Sequence, residues 1–164
     1  MITQTLLDDA AALLDECRAK HVKLATAEGC TGGLIAAVLT AIAGSSDVVE
    51  RGFVAYSNEA KSELLGVPPA LIAELGAVSE PVARSMADGA LQNSHADIAV
   101  SVIGLDGPGG GSVEKPIGLM CFGRARRGVG TVSERHLLLP GDRAAIRARS
   151  VEKAFALIRA ALAQ

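Results

Sequence analysis

The apolar positions of the chain follow two spacings, one typical of helices and one typical of strands. In residues 5–20 the apolar side chains recur every three or four positions and form one helical face, made of Leu6, Ala10, Leu13, Leu14 and Cys17. Shorter alternating or continuous apolar runs predict strands. The predicted helices are residues 5–20, 34–43, 59–65, 68–76, 79–92 and 143–163, and the predicted strands are residues 21–26, 48–56, 97–103, 117–126 and 131–139.

Polar residues at the element boundaries support this assignment. Ser57 or Asn58 can cap the third helix, Ser79 the fifth and Asp142 the last, because their side chains can accept the unpaired N–H groups of a first helical turn. Pro140 closes the last strand. The boundaries therefore agree with the hydrophobic pattern.

Helices that alternate with strands predict a sheet that is covered on both faces. The last two strands are neighbours in sequence and form a hairpin, so parallel and antiparallel pairs occur together. We therefore expect an α/β fold, a single three-layer α/β/α sandwich with a mixed sheet. No repeat or linker interrupts the pattern, and one domain is expected over residues 1–164.

Composition restricts the class of function. Hydrophobic residues make up 49% of the chain and aromatic residues only 2%, which predicts an aliphatic core. A formal net charge of -2 gives no basic field for a polyanion, and the few aromatic side chains give no stacking platform for single strands. A nucleic-acid partner is not expected.

The three cysteines, Cys17, Cys30 and Cys121, have no spacing typical of metal ligands, and neither a metal site nor a disulfide framework is predicted. No apolar run approaches the roughly 20 residues of a membrane span. The acidic first helix also differs from a signal peptide. We expect a cytoplasmic protein without a cofactor, a metal or a membrane partner.

The first candidate site is the strand-to-helix turn at residues 28–33. Backbone N–H groups at a helix start suit a phosphate or a developing oxyanion, and Gly32 and Gly33 allow a ligand to approach the backbone. The alternative is a tight turn whose glycines serve packing alone. The sequence leaves both interpretations open.

The second candidate site is residues 56–61. Lys61 lies in the first turn of a predicted helix, where the helix dipole and burial both disfavour its charge and lower its pKa. A neutral lysine can take the proton of a Ser or Thr hydroxyl. Tyr56 ends a strand and points either to the cleft or to the core. The alternative is a solvated surface lysine.

Two further segments are candidates for ligand contact. Residues 104–112 contain five glycines, and a loop of this length in a compact domain favours a binding role over a mobile turn. Arg143 and Arg147 lie one turn apart on the last helix and can hold a phosphate. A solvated helix face is the alternative for the two arginines.

Several short motifs occur in the order found in one known family. They are EGCTGG at 28–33, GSS at 44–46, ERGF at 50–53, YSNEAK at 56–61, GAVS at 76–79, GP at 107–108, KPIG at 115–118 and GDR at 141–143. By these motifs nearly the whole chain resembles the C-terminal domain of the competence/damage-inducible CinA proteins. Stand-alone members of that family are known as nicotinamide-nucleotide amidases.

The resemblance implies hydrolysis of nicotinamide mononucleotide to nicotinate mononucleotide and ammonia, in pyridine nucleotide salvage, by a metal-free Ser/Lys pair. In this chain the resemblance assigns the catalytic lysine to Lys61. The nucleophilic hydroxyl would belong to Ser46 or Thr31, and Tyr56 would be a neighbouring catalytic residue. The expected substrate contacts are Glu28, Gly29, Cys30, Gly32, Gly33, Ser45, Ser57, Asn58, Gly104, Gly107, Arg143 and Arg147. The family also implies self-association into a homo-oligomer.

Two loops depart from the family pattern. Gly29 stands where the family has Ser, while Ile103 and Asp106 replace a hydroxyl residue and an alanine. Two hypotheses follow. The chain is an amide hydrolase in which Ser46, Thr31 or Ser57 supplies the hydroxyl, or it is a nucleotide-binding or interaction protein without turnover.

Overall fold

One mixed sheet lies at the centre of the computed structural model, which describes residues 2–139 and 141–164. Its strands in these residues are β1 (Leu24–Glu28), β2 (Val49–Val54), β3 (Ile98–Gly104), β4 (Leu119–Arg126) and β5 (Gly130–Leu137). Their spatial order is β2-β1-β3-β4-β5. Strand β1 is parallel to β2 and β3, whereas β4 and β5 join in antiparallel fashion. The predicted mixed sheet is confirmed.

Helices cover both faces of this sheet. Within the described residues they are α1 (Gln4–Ala19), α2 (Leu34–Thr40), α3 (Asn58–Leu65), α4 (Pro69–Leu75), α5 (Glu80–Gln92) and α6 (Arg143–Leu162). Helices α1, α2 and α6 share one hydrophobic core with the sheet, and α3, α4 and α5 share another. The three-layer α/β/α sandwich is confirmed.

The two cores differ in the size of their side chains. The α1–α2–α6 side is filled by leucines, isoleucines, valines and two phenylalanines, while alanines dominate the α3–α4–α5 side. Small residues let backbones approach: a Cβ on Gly89 of α5 would lie 1.8 Å from the Leu65 carbonyl oxygen at the end of α3. This close packing fixes α3, which carries Lys61.

Several predicted boundaries shift. The first strand begins at Leu24, because α1 ends in a turn at which His21 takes a φ of 53°. Helix α2 ends at Thr40, and a 3-10 turn over Ser45–Asp47 precedes β2. Pro140 lies outside the described residues. The predicted caps Ser57, Ser79 and Asp142 accept backbone N–H groups as expected.

The parallel strands β1, β2 and β3 end at the same edge of the sheet, which we call the carboxyl edge. In register, Glu28 pairs with Val54 on one side and with Val102 on the other. The chain leaves β1 toward β2, while β3 lies on the opposite side of β1. A crevice at such a switch in strand order is the usual ligand site of an open α/β sheet.

Candidate functional site

The Glu28 carboxylate caps the N-terminus of α2. Its Oε2 accepts hydrogen bonds from the N–H groups of Gly33 (3.1 Å) and Ile35 (3.0 Å), and its Oε1 accepts one from Ala36 (2.9 Å). Glu28 is fully buried. The prediction that these N–H groups receive a ligand anion is therefore wrong, because the chain supplies its own carboxylate.

Gly29 follows on the opposite face of β1, against Ile103. A Cβ built on Gly29 would lie 2.6 Å from the Ile103 Cδ1 atom and 3.3 Å from the Val102 carbonyl oxygen. The two departures from the family pattern are thus in direct contact. An isoleucine methyl fills the space beside residue 29, and this part of the site offers no hydroxyl.

Cys30 and Thr31 are both buried in the following turn. Burial first, and then the nearby Asp106 charge, raises the pKa of the Cys30 thiol to about 12, so the thiol stays protonated at neutral pH. The Thr31 carbonyl accepts a hydrogen bond from Arg147 Nη2 (2.6 Å), while its Oγ1 has no partner. Gly32 lies beside the same guanidinium, with 3.7 Å between a Cβ built on it and Arg147 Nη2.

Lys61 is the largest polar side chain inside the protein, with 1% of its surface exposed. Its Nζ donates to the carbonyl oxygens of Tyr56 (2.9 Å) and Ser57 (3.2 Å). Burial lowers the pKa of Lys61, although the Cys30 thiol and Glu59 act in the opposite direction. The solvated-lysine alternative is wrong. The two donated bonds fix the position of Nζ, and an amine held in this way can accept a proton when it is neutral.

The neighbours of Lys61 have different roles. Tyr56 is 63% exposed, and its hydroxyl lies 3.4 Å from Arg143 Nη2. Ser57 caps α3, since its Oγ accepts the Ala60 N–H (3.0 Å). Asn58 lines a separate cavity of about 420 Å³ between α3 and α4. Only the Tyr56 hydroxyl reaches the arginine of the last helix, among the described side chains of this segment.

Ser45 and Ser46 lie at the other end of the sheet. They form the turn before β2, which faces the end of α1: Arg18 bonds Asp47 (2.8 Å) and the Gly44 carbonyl (3.1 Å) there. Lys61 follows β2 and is a full strand length away. The prediction that Ser46 attacks a substrate beside Lys61 is wrong, and Ser45 is equally remote from the carboxyl edge.

A cleft of about 610 Å³ opens between the loop after β3 and the start of α6. It is lined by Asp106, Gly107, Pro108, Ile117, Gly141, Asp142, Arg143, Ala144 and Arg147. The predicted contacts Gly107, Arg143 and Arg147 are thus brought together. Gly104 is not among them, because a Cβ there would lie 2.1 Å from Met120 Sδ, which gives this glycine a packing role against β4.

Arg143 is already engaged in this cleft. Its Nη1 donates to Asp106 Oδ1 (2.6 Å) and to the Gly107 carbonyl (2.7 Å), while its Nη2 faces the Tyr56 hydroxyl. Asp142 caps α6 through the Ala145 N–H (2.9 Å). A carboxylate of the chain therefore caps the start of α6, as it does for α2. The Nη2 atom of Arg143 is left on the solvent side of the cleft.

Sequence analysis did not count Asp106 or Ile117 among the site residues. Asp106 is 5% exposed and pairs with an arginine 37 positions away. A carboxylate inside a glycine-rich loop, next to Gly107, is a signal that could have identified it. Ile117 follows the same loop, and its apolar side chain carries no such signal.

The described residues contain neither a metal-binding cluster nor a membrane-spanning helix. No set of three or more His, Cys, Asp or Glu side chains is arranged to hold a metal ion. No helix in these residues is long and apolar enough to cross a bilayer.

Comparison with known proteins places these features in a family. Residues 7–162 match the model of the CinA C-terminal domain. A CinA-like protein of Mycobacterium sp. (strain JLS) is 52% identical over 158 residues, which are 96% of this chain and 36% of that protein. A CinA-like protein of Mycobacterium leprae is 56% identical over 140 residues, 85% of this chain and 33% of that protein. The chain thus spans about a third of these relatives.

Solved structures support the same family assignment. The competence/damage inducible protein CihA from Agrobacterium tumefaciens superposes with a TM-score of 0.95 at 41% identity, covering 100% of this chain and 99% of that one. A CinA superfamily protein from Klebsiella pneumoniae gives a TM-score of 0.91 at 34% identity, covering 98% and 99%. In sequence and in structure, this chain belongs to the CinA C-terminal domain family.

Proposed function

We propose that the cleft between the loop after β3 and the start of α6 binds a pyridine mononucleotide, with nicotinamide mononucleotide as the reference ligand. The observation that carries this proposal is the convergence of Arg143 and Arg147 with the carboxyl edge of the sheet. The ligand class comes from the family resemblance, and the cleft is large enough for a small nucleotide.

The chemistry of the cleft suits a ligand with an anionic end. Arg143 is 43% exposed, and its Nη2 donates a long hydrogen bond of 3.4 Å to the Tyr56 hydroxyl. A guanidinium in this state can donate to phosphate oxygens while Nη1 remains on Asp106. The Tyr56 hydroxyl stands beside it as a second donor.

Amide hydrolysis is the second candidate, and Lys61 is the observation that favours it. A buried lysine with a lowered pKa and a carboxyl-edge position is suited to accept a proton. In such a reaction an oxygen nucleophile adds to the carboxamide carbon, Lys61 takes its proton, the C–N bond breaks, and ammonia leaves with that proton.

The obstacle to hydrolysis is the nucleophile. Ile103 fills the space beside Gly29, Ser57 is used as a helix cap, and the Thr31 hydroxyl is fully buried. Water is then the remaining oxygen nucleophile, without a serine or threonine to form a covalent intermediate. This favours binding over rapid turnover.

Calorimetry with nicotinamide mononucleotide tests the binding proposal. We expect Arg143→Ala to weaken the affinity by about tenfold or more, since it removes a charged donor to the phosphate. Arg51→Ala is a matched control, because Arg51 is equally exposed and also ion-paired but lies away from the cleft on β2. Absence of binding to the native chain, or equal losses in both variants, would contradict the proposal.

Ammonia release from the same ligand tests the second candidate. Lys61→Met keeps the length and the apolar stem of the side chain but removes the base. A native rate above that of Lys61→Met would support hydrolysis, whereas two equal background rates would leave only the binding function.

A further inference from the structure

Three of the buried polar atoms that lack a hydrogen-bond partner in the described residues belong to residues at or next to this cleft. They are Thr31 Oγ1, Asp106 Oδ2 and Arg147 Nε. Asp106 and Arg147 line the cleft, and Arg147 also holds the Thr31 carbonyl. Buried polar groups normally have partners, so each of these exceptions calls for a partner that the described residues do not supply.

Of the three atoms, Asp106 Oδ2 carries the largest free-energy cost when it lacks a hydrogen bond, because it belongs to a charged group. Its Oδ1 is bonded to Arg143 Nη1 at 2.6 Å, whereas Oδ2 is shielded from solvent and accepts no hydrogen bond. The two N–H groups of Arg143 Nη1 go to Asp106 and to Gly107, and neither reaches Oδ2. A charged acceptor inside the protein therefore lacks a donor.

The missing partner must be a hydrogen-bond donor. An amide N–H, an ammonium or a hydroxyl could donate a hydrogen bond to Oδ2. A second carboxylate would be repelled by it, because the two groups carry the same charge. Nicotinamide mononucleotide carries such a donor in the N–H groups of its carboxamide, and the corresponding acid replaces that group with a carboxylate.

We propose that Asp106 determines ligand specificity: its Oδ2 accepts a hydrogen bond from the carboxamide N–H of the ligand and rejects the corresponding acid. This inference rests on the proposed binding of a pyridine mononucleotide. It assigns a role to a residue at which this chain departs from the family pattern.

The test compares two ligands that share ribose and phosphate. Nicotinamide mononucleotide and nicotinate mononucleotide are titrated into the native chain, Asp106→Asn and Asp142→Asn. Asparagine keeps the shape of Asp106 but adds an N–H donor and removes the charge. Asp142→Asn removes the same charge from the same cleft and leaves a good helix cap, so it is the matched control.

We expect the native chain to bind the amide about tenfold or more tightly than the acid. Asp106→Asn should reduce that ratio to within about threefold, mostly by strengthening binding of the acid, while Asp142→Asn keeps the native ratio. Ammonia measured in each sample accounts for any turnover, and thermal unfolding confirms that each variant is folded.

Three results would overturn the proposal. Equal native affinities for the amide and the acid would show that Oδ2 does not distinguish them. A parallel loss of both ligands in Asp106→Asn would place the ribose hydroxyls on Asp106. Equal changes in both variants would point to net charge alone. If neither ligand binds the native chain, the proposed function fails and this inference fails with it.

Discussion

Two buried carboxylates at the carboxyl edge of the sheet, Glu28 and Asp106, show how differently similar residues can be used. Both follow or end a parallel strand, and both lie in glycine-containing segments that suggest ligand binding. Glu28 accepts three backbone hydrogen bonds and is complete. Asp106 accepts one bond from an arginine and leaves an oxygen without a donor. Hydrogen-bond completeness, rather than burial or position, separates the structural carboxylate from the one that we propose to bind a ligand.

The largest expected effect separates the two carboxylates directly. Glu28→Ala should lower the free energy of unfolding by about 3 to 5 kcal/mol, because three N–H groups of α2 lose a charged acceptor. Asp106→Ala should change it by no more than about 1 kcal/mol, since its one bond is to a half-exposed arginine. Urea denaturation of both variants measures the difference. Similar losses would show that hydrogen-bond completeness does not separate the two carboxylates.

The contact between Gly29 and Ile103 gives the next effect. Gly29→Ser should cost about 1 to 3 kcal/mol, because its Cβ meets the Ile103 Cδ1 atom at 2.6 Å. In an Ile103→Val background, which lacks that atom, the cost should largely disappear. A double-mutant cycle in urea measures this coupling, and additive losses would show that the two residues are independent.

The same double variant tests whether a hydroxyl at residue 29 allows the domain to hydrolyse the ligand. The double variant places a hydroxyl on the face of the sheet that is covered by α3, the helix that carries Lys61, so ammonia release from nicotinamide mononucleotide should rise above the native rate. Lys61→Met in that background is the control and should return the rate to the background level.

Lys61 predicts a dependence of stability on pH. Its folded pKa is lowered by burial, so the unfolded chain binds the additional proton between the folded pKa and about 10.4. Stability contributed by neutral Lys61 is therefore present above the unfolded pKa and lost as the pH falls through the folded pKa.

Relative to Lys61→Met, the native chain should gain stability as the pH rises through this window, by at most about 1.4 kcal/mol per pH unit. Chemical denaturation of both proteins at a series of pH values from 7 to about 10 measures the gain. A constant difference between the two proteins would contradict the lowered pKa.

The smallest effect concerns a residue that was expected to contact the substrate. Ser57→Ala should cost about 1 kcal/mol of stability, because Ser57 caps α3. Its affinity for the mononucleotide should equal that of the native chain. A selective loss of affinity at unchanged stability would restore Ser57 to the binding site.

The hydrophobic pattern predicted the layers of the fold and most helix starts, because capping and periodicity are local properties. The sequence also singled out Lys61, which is buried, and Arg143, which lines the cleft. It did not predict that Glu28 folds back onto α2, or that Ile103 lies against Gly29, since both contacts depend on tertiary packing. Ser46 could have been excluded: a helix that joins two parallel strands returns the chain to the opposite edge of the sheet, and Ser46 precedes β2.

The bond between Arg147 and Thr31 joins residues 116 positions apart. Closing so long a loop costs conformational entropy, and proteins rich in such long-range contacts fold slowly. We therefore expect the two walls of the cleft to meet after α6 has docked onto the sheet. Mononucleotide affinity measured during refolding should appear after the helical signal, and it would report the last step in the assembly of the chain.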